Sequence, residues 1–114
     1  MNNQEAFDLM VAHLIAQGKP AVSPYGHCVY RGPDGTKCAV GILIPDDVYH
    51  PDMEGDNPHH LIGVDFGDVD LRFLSEAQSV LHDQPAEDIK GDFMENMKTG
   101  ARDLAMMWNL KCSV

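Results

Sequence analysis

The sequence predicts an α+β domain: a β-hairpin, extended to a three-stranded antiparallel sheet if residues 61–64 join it, packed against about three helices. Three observations carry this expectation. Apolar residues recur at spacings of three and four within 4–17, 71–82 and 85–108, as on the buried face of a helix. Two runs rich in β-branched and aromatic residues flank Gly32-Pro33-Asp34-Gly35-Thr36, which has the composition of a tight turn. The chain has 114 residues, 44% of them hydrophobic, enough for one modest core and too few for two domains. Residues 1–114 are therefore read as a single domain.

Taken in chain order, the first helix runs over 4–17 with Phe7, Met10, Val11, Leu14 and Ile15 on its apolar stripe, and Gly18 and Pro20 stop it. Residues 19–26 hold two prolines and a glycine and form a loop. The hairpin follows, with arms His27–Arg31 and Lys37–Ile44. Proline suits the first central position of the turn and Gly35 the left-handed position after it, which leaves a three-residue loop with a bulge. That loop sets a register of Arg31 opposite Lys37, Tyr30 opposite Cys38 and Cys28 opposite Val40. Alternation then puts Cys28, Tyr30, Cys38, Val40 and Ile42 on a buried face, and Val29, Arg31, Lys37 and Ala39 on a partly exposed one. Residues 45–70 are dense in Pro, Asp and Gly, a long irregular stretch of the kind that carries function in compact domains. Asp70 caps a helix from Leu71 to about His82, with Leu71, Leu74, Gln78 and Leu81 in a stripe. Pro85 and the Glu87-Asp88 pair suit the start of a last helix, along which Ile89, Phe93, Met97, Ala101, Leu104 and Trp108 align. Gly91 and Gly100 each weaken that helix by about 1 kcal/mol relative to alanine.

Charge excludes one class of partner. Eighteen acidic residues against eight basic give a formal net charge of −10. Contact with phosphate backbones needs a basic face, so direct nucleic-acid binding is not expected, and the acidic balance favours a protein partner with a basic surface. No apolar run approaches the roughly 18 residues that span a bilayer, and the start MNNQEAFDLM lacks the basic and apolar regions of a signal peptide. The odd cysteine count (Cys28, Cys38, Cys112) suits reduced thiols. Together these give an expectation of a cytoplasmic protein.

The string from Cys28 to Tyr49, with its Cys-x-Tyr-Arg-x5-Lys-Cys-Ala-Val-Gly-x-Leu-Ile-Pro-Asp pattern, resembles the signature of a family of small hypothetical proteins of tailed phages and prophage-like bacterial regions. The similarity continues through Pro51–Gly55 and, more weakly, through Leu81-His82-Asp83 and the C-terminal helix. The resemblance carries over no catalytic residue. It implies a phage or prophage accessory protein acting in the host cytoplasm, where small acidic proteins of this kind often inhibit host systems.

Four groups of residues could carry chemistry. Cys28 and Cys38 are diagonal neighbours on the predicted buried face and, with His59 and His60 or His50, could ligate zinc; buried structural thiols are the ordinary alternative, and a redox pair a third. A nucleophilic cysteine would need a base such as His27, His59 or His82, but His27 points to the opposite face from Cys28, and Cys38 is not at a helix N-terminus, where a thiolate is favoured. Asp46, Asp47, Asp52, Glu54 and Asp56 beside His50, His59 and His60 could hold a divalent cation, although a solvated loop with turn-forming aspartates is the ordinary explanation. Arg31 and Lys37, opposite one another, form a like-charge pair that needs an anion between them: a nearby aspartate, or the phosphate of a small ligand with Tyr25 or Tyr30 stacking on it. Met106, Met107 and Trp108 cannot all face inward with Leu104, so the last helix offers an exposed apolar surface suited to a partner, including a second copy of the chain.

These readings lead to three expected functions. The first is a non-enzymatic accessory protein that binds a host macromolecule and inhibits a defence system. The second is a binder that sequesters a small ligand such as a nucleotide signal. The third is a small metal- or cysteine-dependent enzyme.

Overall fold

The computed structural model describes residues 1–55, 61, 64–83 and 92–114. It opens with α1, Asn3–Gln17, started by a reciprocal capping box: the Glu5 amide donates to Asn2 Oδ1 at 2.9 Å, and the Asn2 amide donates to Glu5 Oε1 at 3.1 Å. Gly18 ends it with φ 74°, its amide returning to the Leu14 carbonyl. Ala6, Phe7, Met10, Val11 and Leu14 are buried at the predicted spacing, whereas Ile15 turns outward.

The predicted sheet does not form. Among the described residues there is no strand, only two isolated antiparallel bridges, Val22 with Cys28 and Arg31 with Lys37. The expectation of a hairpin or three-stranded sheet packed on helices is thus corrected to a mostly helical chain with a short, twice-bridged irregular segment. At the turn itself, Gly35 takes φ 84°, the Gly32 amide donates to Thr36 O at 2.8 Å and the Cys38 amide to Tyr30 O at 3.2 Å. Beyond Tyr30 and Cys38 the arms part. Cys28 bridges Val22 around a second turn, with the Val29 amide on Ala21 O at 3.1 Å, and so never meets Val40. On the other arm, Gly41–Leu43 coil into a 3-10 turn. A Cβ on Gly41 would collide with the Tyr30 carbonyl oxygen, so only glycine lets the chain double back against Tyr30. Ala39, expected on the exposed face, is fully buried by the same turn.

Side chains from distant segments take backbone donors that a sheet would have used. On one edge Glu54 accepts from the Tyr30 amide at 2.7 Å and the Arg31 amide at 3.1 Å. On the other edge Gln17 Oε1 accepts from the Lys37 amide at 2.8 Å, and the Lys37 carbonyl accepts from Gln17 Nε2 and His13 Nε2. Every edge donor named here is satisfied without a ladder. Leu61 is buried and Val64 partly so, neither in a strand, while residues 56–60 and 62–63 lie outside the described residues.

α2, Leu71–Gln78, is capped by Asp70 as predicted, its side chain accepting from the Arg72 amide. It does not run on to His82 as an α-helix: Ser79–Asp83 form a π-turn. The last helix, α3, spans Phe93–Trp108 and is capped by Asp92, which accepts from the Met94 amide. The extended backbone of Asp92 excludes one continuous helix from Pro85, and the expectations placed on Pro85, Glu87, Asp88, Ile89 and Gly91 lie outside the described residues. α3 packs on α2 and on the π-turn through Met97, Ala101, Leu104 and Ala105, with Phe73 edge-on to Trp108 at 5.3 Å. After Asn109, in the left-handed region at φ 54°, the tail lies along α1, where the Gln4 side-chain amide pairs with both backbone groups of Lys111 at 2.8 and 3.0 Å. No described helix is long and apolar enough to cross a membrane.

Candidate functional site

Two polar clusters gather some of the residues singled out by the sequence: His82 and Cys28 in one, and Arg31, Lys37, Asp46 and Glu54 in the other. The first is built on the π-turn. His82 is fully buried and 2.8 Å from the Ala21 amide through Nε2. A backbone N–H can only donate, so Nε2 is the acceptor and the ring proton sits on Nδ1, which donates to Asp83 Oδ1 at 3.0 Å. The same carboxylate oxygen accepts from Gln78 Nε2 at 2.8 Å, and Gln78 Oε1 accepts from the Val40 amide at 2.9 Å. Phe93 lies edge-on to the imidazole at 6.1 Å. His82 and Gln78 thus hold two separate loops, at residues 21 and 40, onto the end of α2. The wider π-turn sets the orientation that places His82 and Asp83 beside Gln78.

Cys28 borders this cluster. Its Sγ lies 4.0 Å from the Asp83 carbonyl oxygen, and ligand-capable atoms of Cys28, His82 and Asp83 all fall within 4.8 Å of one another. Cysteine, histidine and carboxylate are a zinc-type donor set. Both ring nitrogens of His82 are already engaged, so a metal would bind there only if the Ala21 amide or the Nδ1 proton were given up. For the same reason His82 presents no open lone pair as a base towards Cys28. Cys38, the other sequence-predicted ligand, is fully buried; its sulfur accepts from the Gly41 amide at 3.2 Å, and burial pushes its thiol far above the ordinary value. His59 and His60 lie outside the described residues. His27 and His50 are exposed, and His50 caps the 3-10 turn Pro51–Met53. The sequence signal for this cluster was Gln78, a polar residue on the apolar stripe of a helix, four residues before His82.

The second cluster surrounds Arg31. Its guanidinium donates through Nη2 to Ile44 O at 2.6 Å, pairs through Nη1 with Asp46 Oδ1 at 2.7 Å, and lies over the Tyr49 ring at 4.7 Å. Lys37 reaches the same Asp46 oxygen at 3.4 Å. The predicted like-charge pair is therefore bridged by an aspartate, and the two cations lower the Asp46 carboxyl below its ordinary value, the Lys37 hydrogen bond being the largest cause. Tyr49 donates its hydroxyl to Glu54 Oε2 at 2.6 Å, and burial, followed by that bond, pushes its phenol up to about 12. The other residues read as ligand contacts are not gathered here as stacking platforms: Tyr30 is buried in the core, and Tyr25 is 88% exposed on the turn that the Val22–Cys28 bridge closes. Tyr49 and Glu54, which sequence reasoning did not join to Arg31, complete the cluster. No family model, curated protein or solved structure matches the chain.

Proposed function

We propose that the protein is a non-enzymatic binding module that engages the basic surface of a macromolecular partner through its exposed carboxylates. One observation carries the reading. Among the described residues, three of the basic side chains are neutralised within the chain, Lys19 by Asp34 and Arg31 and Lys37 by Asp46, and Arg102 is held by the Val114 carbonyl. The excess carboxylates, among them Asp8, Asp47, Asp52, Asp68 and Asp103, remain exposed. With a net charge of −10, the outer surface attracts cationic groups, and such fields set orientation and arrival rate of a partner. The resemblance of residues 28–49 to small phage and prophage proteins supplies the context of a host target, with inhibition of a defence system as the consequence of occupying its basic groove.

The test begins by cross-linking the protein in bacterial cytosol, followed by purification of the captured partner and a binding isotherm across salt. Affinity is expected to fall as salt rises, and an Asp47→Asn/Asp52→Asn variant is expected to associate more slowly. An affinity that is flat between low and physiological salt, and unchanged in that variant, rules out recognition by charge.

A further inference from the structure

We propose that Arg31 and Lys37 form a binding cradle for a phosphate group, and that Asp46 is an internal anion occupying it until a ligand displaces it. This site is independent of the charge-directed binding above.

The asymmetry between cations and anion motivates the assignment. Arg31 and Lys37 side chains are 17% and 29% exposed, whereas that of Asp46 is 80% exposed. Both cations belong to bridged backbone that other residues pin from outside: Glu54 holds the Arg31 amide, and Gln17 holds the Lys37 amide. The Arg31 guanidinium is further fixed by the Ile44 carbonyl below and the Tyr49 ring beside it. The cations are thus pre-arranged, and the carboxylate closes over them from the solvent side.

The way Asp46 binds leaves room for a better anion. Both cations pair with the same oxygen, Oδ1, at 2.7 and 3.4 Å, so the two share one acceptor. A phosphate has three peripheral oxygens and a higher charge, and can give each cation its own acceptor. Glu54, the carboxylate that holds the Arg31 amide, is already occupied by the Tyr30 amide, the Arg31 amide and the Tyr49 hydroxyl. The overall charge of −10 opposes any arriving anion at long range. At physiological ionic strength that field is screened beyond about 8 Å, while the two cations act at contact.

Inorganic phosphate is the probe, titrated at physiological ionic strength into the wild-type chain and into Asp46→Asn, with backbone amide shifts followed by NMR. Removing the internal competitor is expected to tighten phosphate binding by about tenfold or more, since a tethered group competes at a high effective concentration. The shifts should centre on residues 31, 37 and 44–46, and Lys37→Met in the Asp46→Asn background should weaken binding again. A ribonucleoside monophosphate separates the sources: tighter binding than inorganic phosphate identifies an ester ligand, and equal binding identifies the phosphate group alone. Asp46→Asn and Asp46→Ala variants that keep the native amide spectrum yet bind phosphate no tighter than wild type overturn the proposal. Binding that is unchanged by Lys37→Met overturns it as well.

Discussion

At the scale of single residues, His82 shows how a buried titratable group becomes a structural fastener. It accepts from Ala21 and donates to Asp83 with no exposed surface. Replacing it with phenylalanine keeps a similar ring in the core but strands the Ala21 amide. Such a loss costs about 1–3 kcal/mol for each unsatisfied buried group. His82→Phe is therefore expected to lower unfolding free energy by about 2–3 kcal/mol, measured by urea denaturation with Trp108 fluorescence. His82→Gln, which keeps a carbonyl acceptor, should lose less, and equal losses in the two variants would trace the effect to packing.

Asp34 makes the matching case on the surface. Its carboxyl is held down to about 2 from an ordinary 3.8, first by the Thr36 hydroxyl at 2.7 Å and then by Lys19 at 2.9 Å. A carboxylate depressed in the folded state stabilises the fold above its unfolded pKa and loses that contribution as pH falls through its folded value. The effect therefore disappears between about 4 and 2. Carboxyl carbon NMR should place the Asp34 midpoint near the lower end, and Thr36→Val should raise it. A midpoint unmoved by Thr36→Val would assign the depression to Lys19.

At the scale of elements, Gly100 reverses the usual rule for helices. Alanine in place of a helical glycine normally stabilises by roughly 1 kcal/mol. Here a Cβ on Gly100 would collide with the carbonyl oxygen of Val80 in the π-turn. Gly100→Ala is expected to destabilise by about 1–3 kcal/mol, the range for overpacking a tight contact. An increase in the urea midpoint of this variant would mean that α3 and the π-turn separate at little cost. The same contact explains why sequence reading took Gly100 only as a weakness of the helix: periodicity shows which face is buried, not how closely a neighbouring backbone approaches. The apolar stripes were readable, because sets such as Phe7–Met10–Leu14 and Met97–Ala101–Leu104 repeat over several turns, and so were the stop at Gly18 and the cap at Asp70, whereas the caps at Asn2 and Asp92 were not. The Pro33-Asp34-Gly35 turn was readable too, since its left-handed residue needs glycine. The sheet was misread at Cys38–Ile44, where a short apolar run fits a buried strand and a 3-10 turn equally well. What decided between them was Glu54, Gln17 and Gln78 satisfying the backbone donors, and nothing near the turn announces those partners. The π-turn escaped for a related reason. Gln78 and His82 mark a polar spot on an apolar stripe, but the partners that explain it lie at residues 21, 40 and 83.

At the scale of the whole molecule, the balance between local ion pairs and total charge sets how salt acts on stability. The pairs Lys19–Asp34, Arg31–Asp46 and Lys37–Asp46 are each at least partly exposed, and pairs of this kind contribute about 0–1 kcal/mol before screening. Against them stands a net charge of −10, confined within a radius of gyration of 13.0 Å. This spacing is comparable with the roughly 10 Å screening length at 0.1 M salt, so much of the self-repulsion acts in dilute buffer and is removed by added salt. The two effects have opposite signs: screening the pairs weakens the fold, and screening the repulsion strengthens it. Because many carboxylates share the repulsion while, among the described residues, three Lys/Arg–Asp contacts share the attraction, repulsion should win. The urea midpoint is expected to rise with sodium chloride from dilute buffer to about 0.3 M, most steeply below the point where the screening length drops under about 8 Å. Urea is needed as the denaturant, since guanidinium chloride would itself supply the salt. A midpoint that falls over the same range would reverse the order of the two terms, and the Asp34 and Asp46 pairs would then outweigh the field of the whole surface.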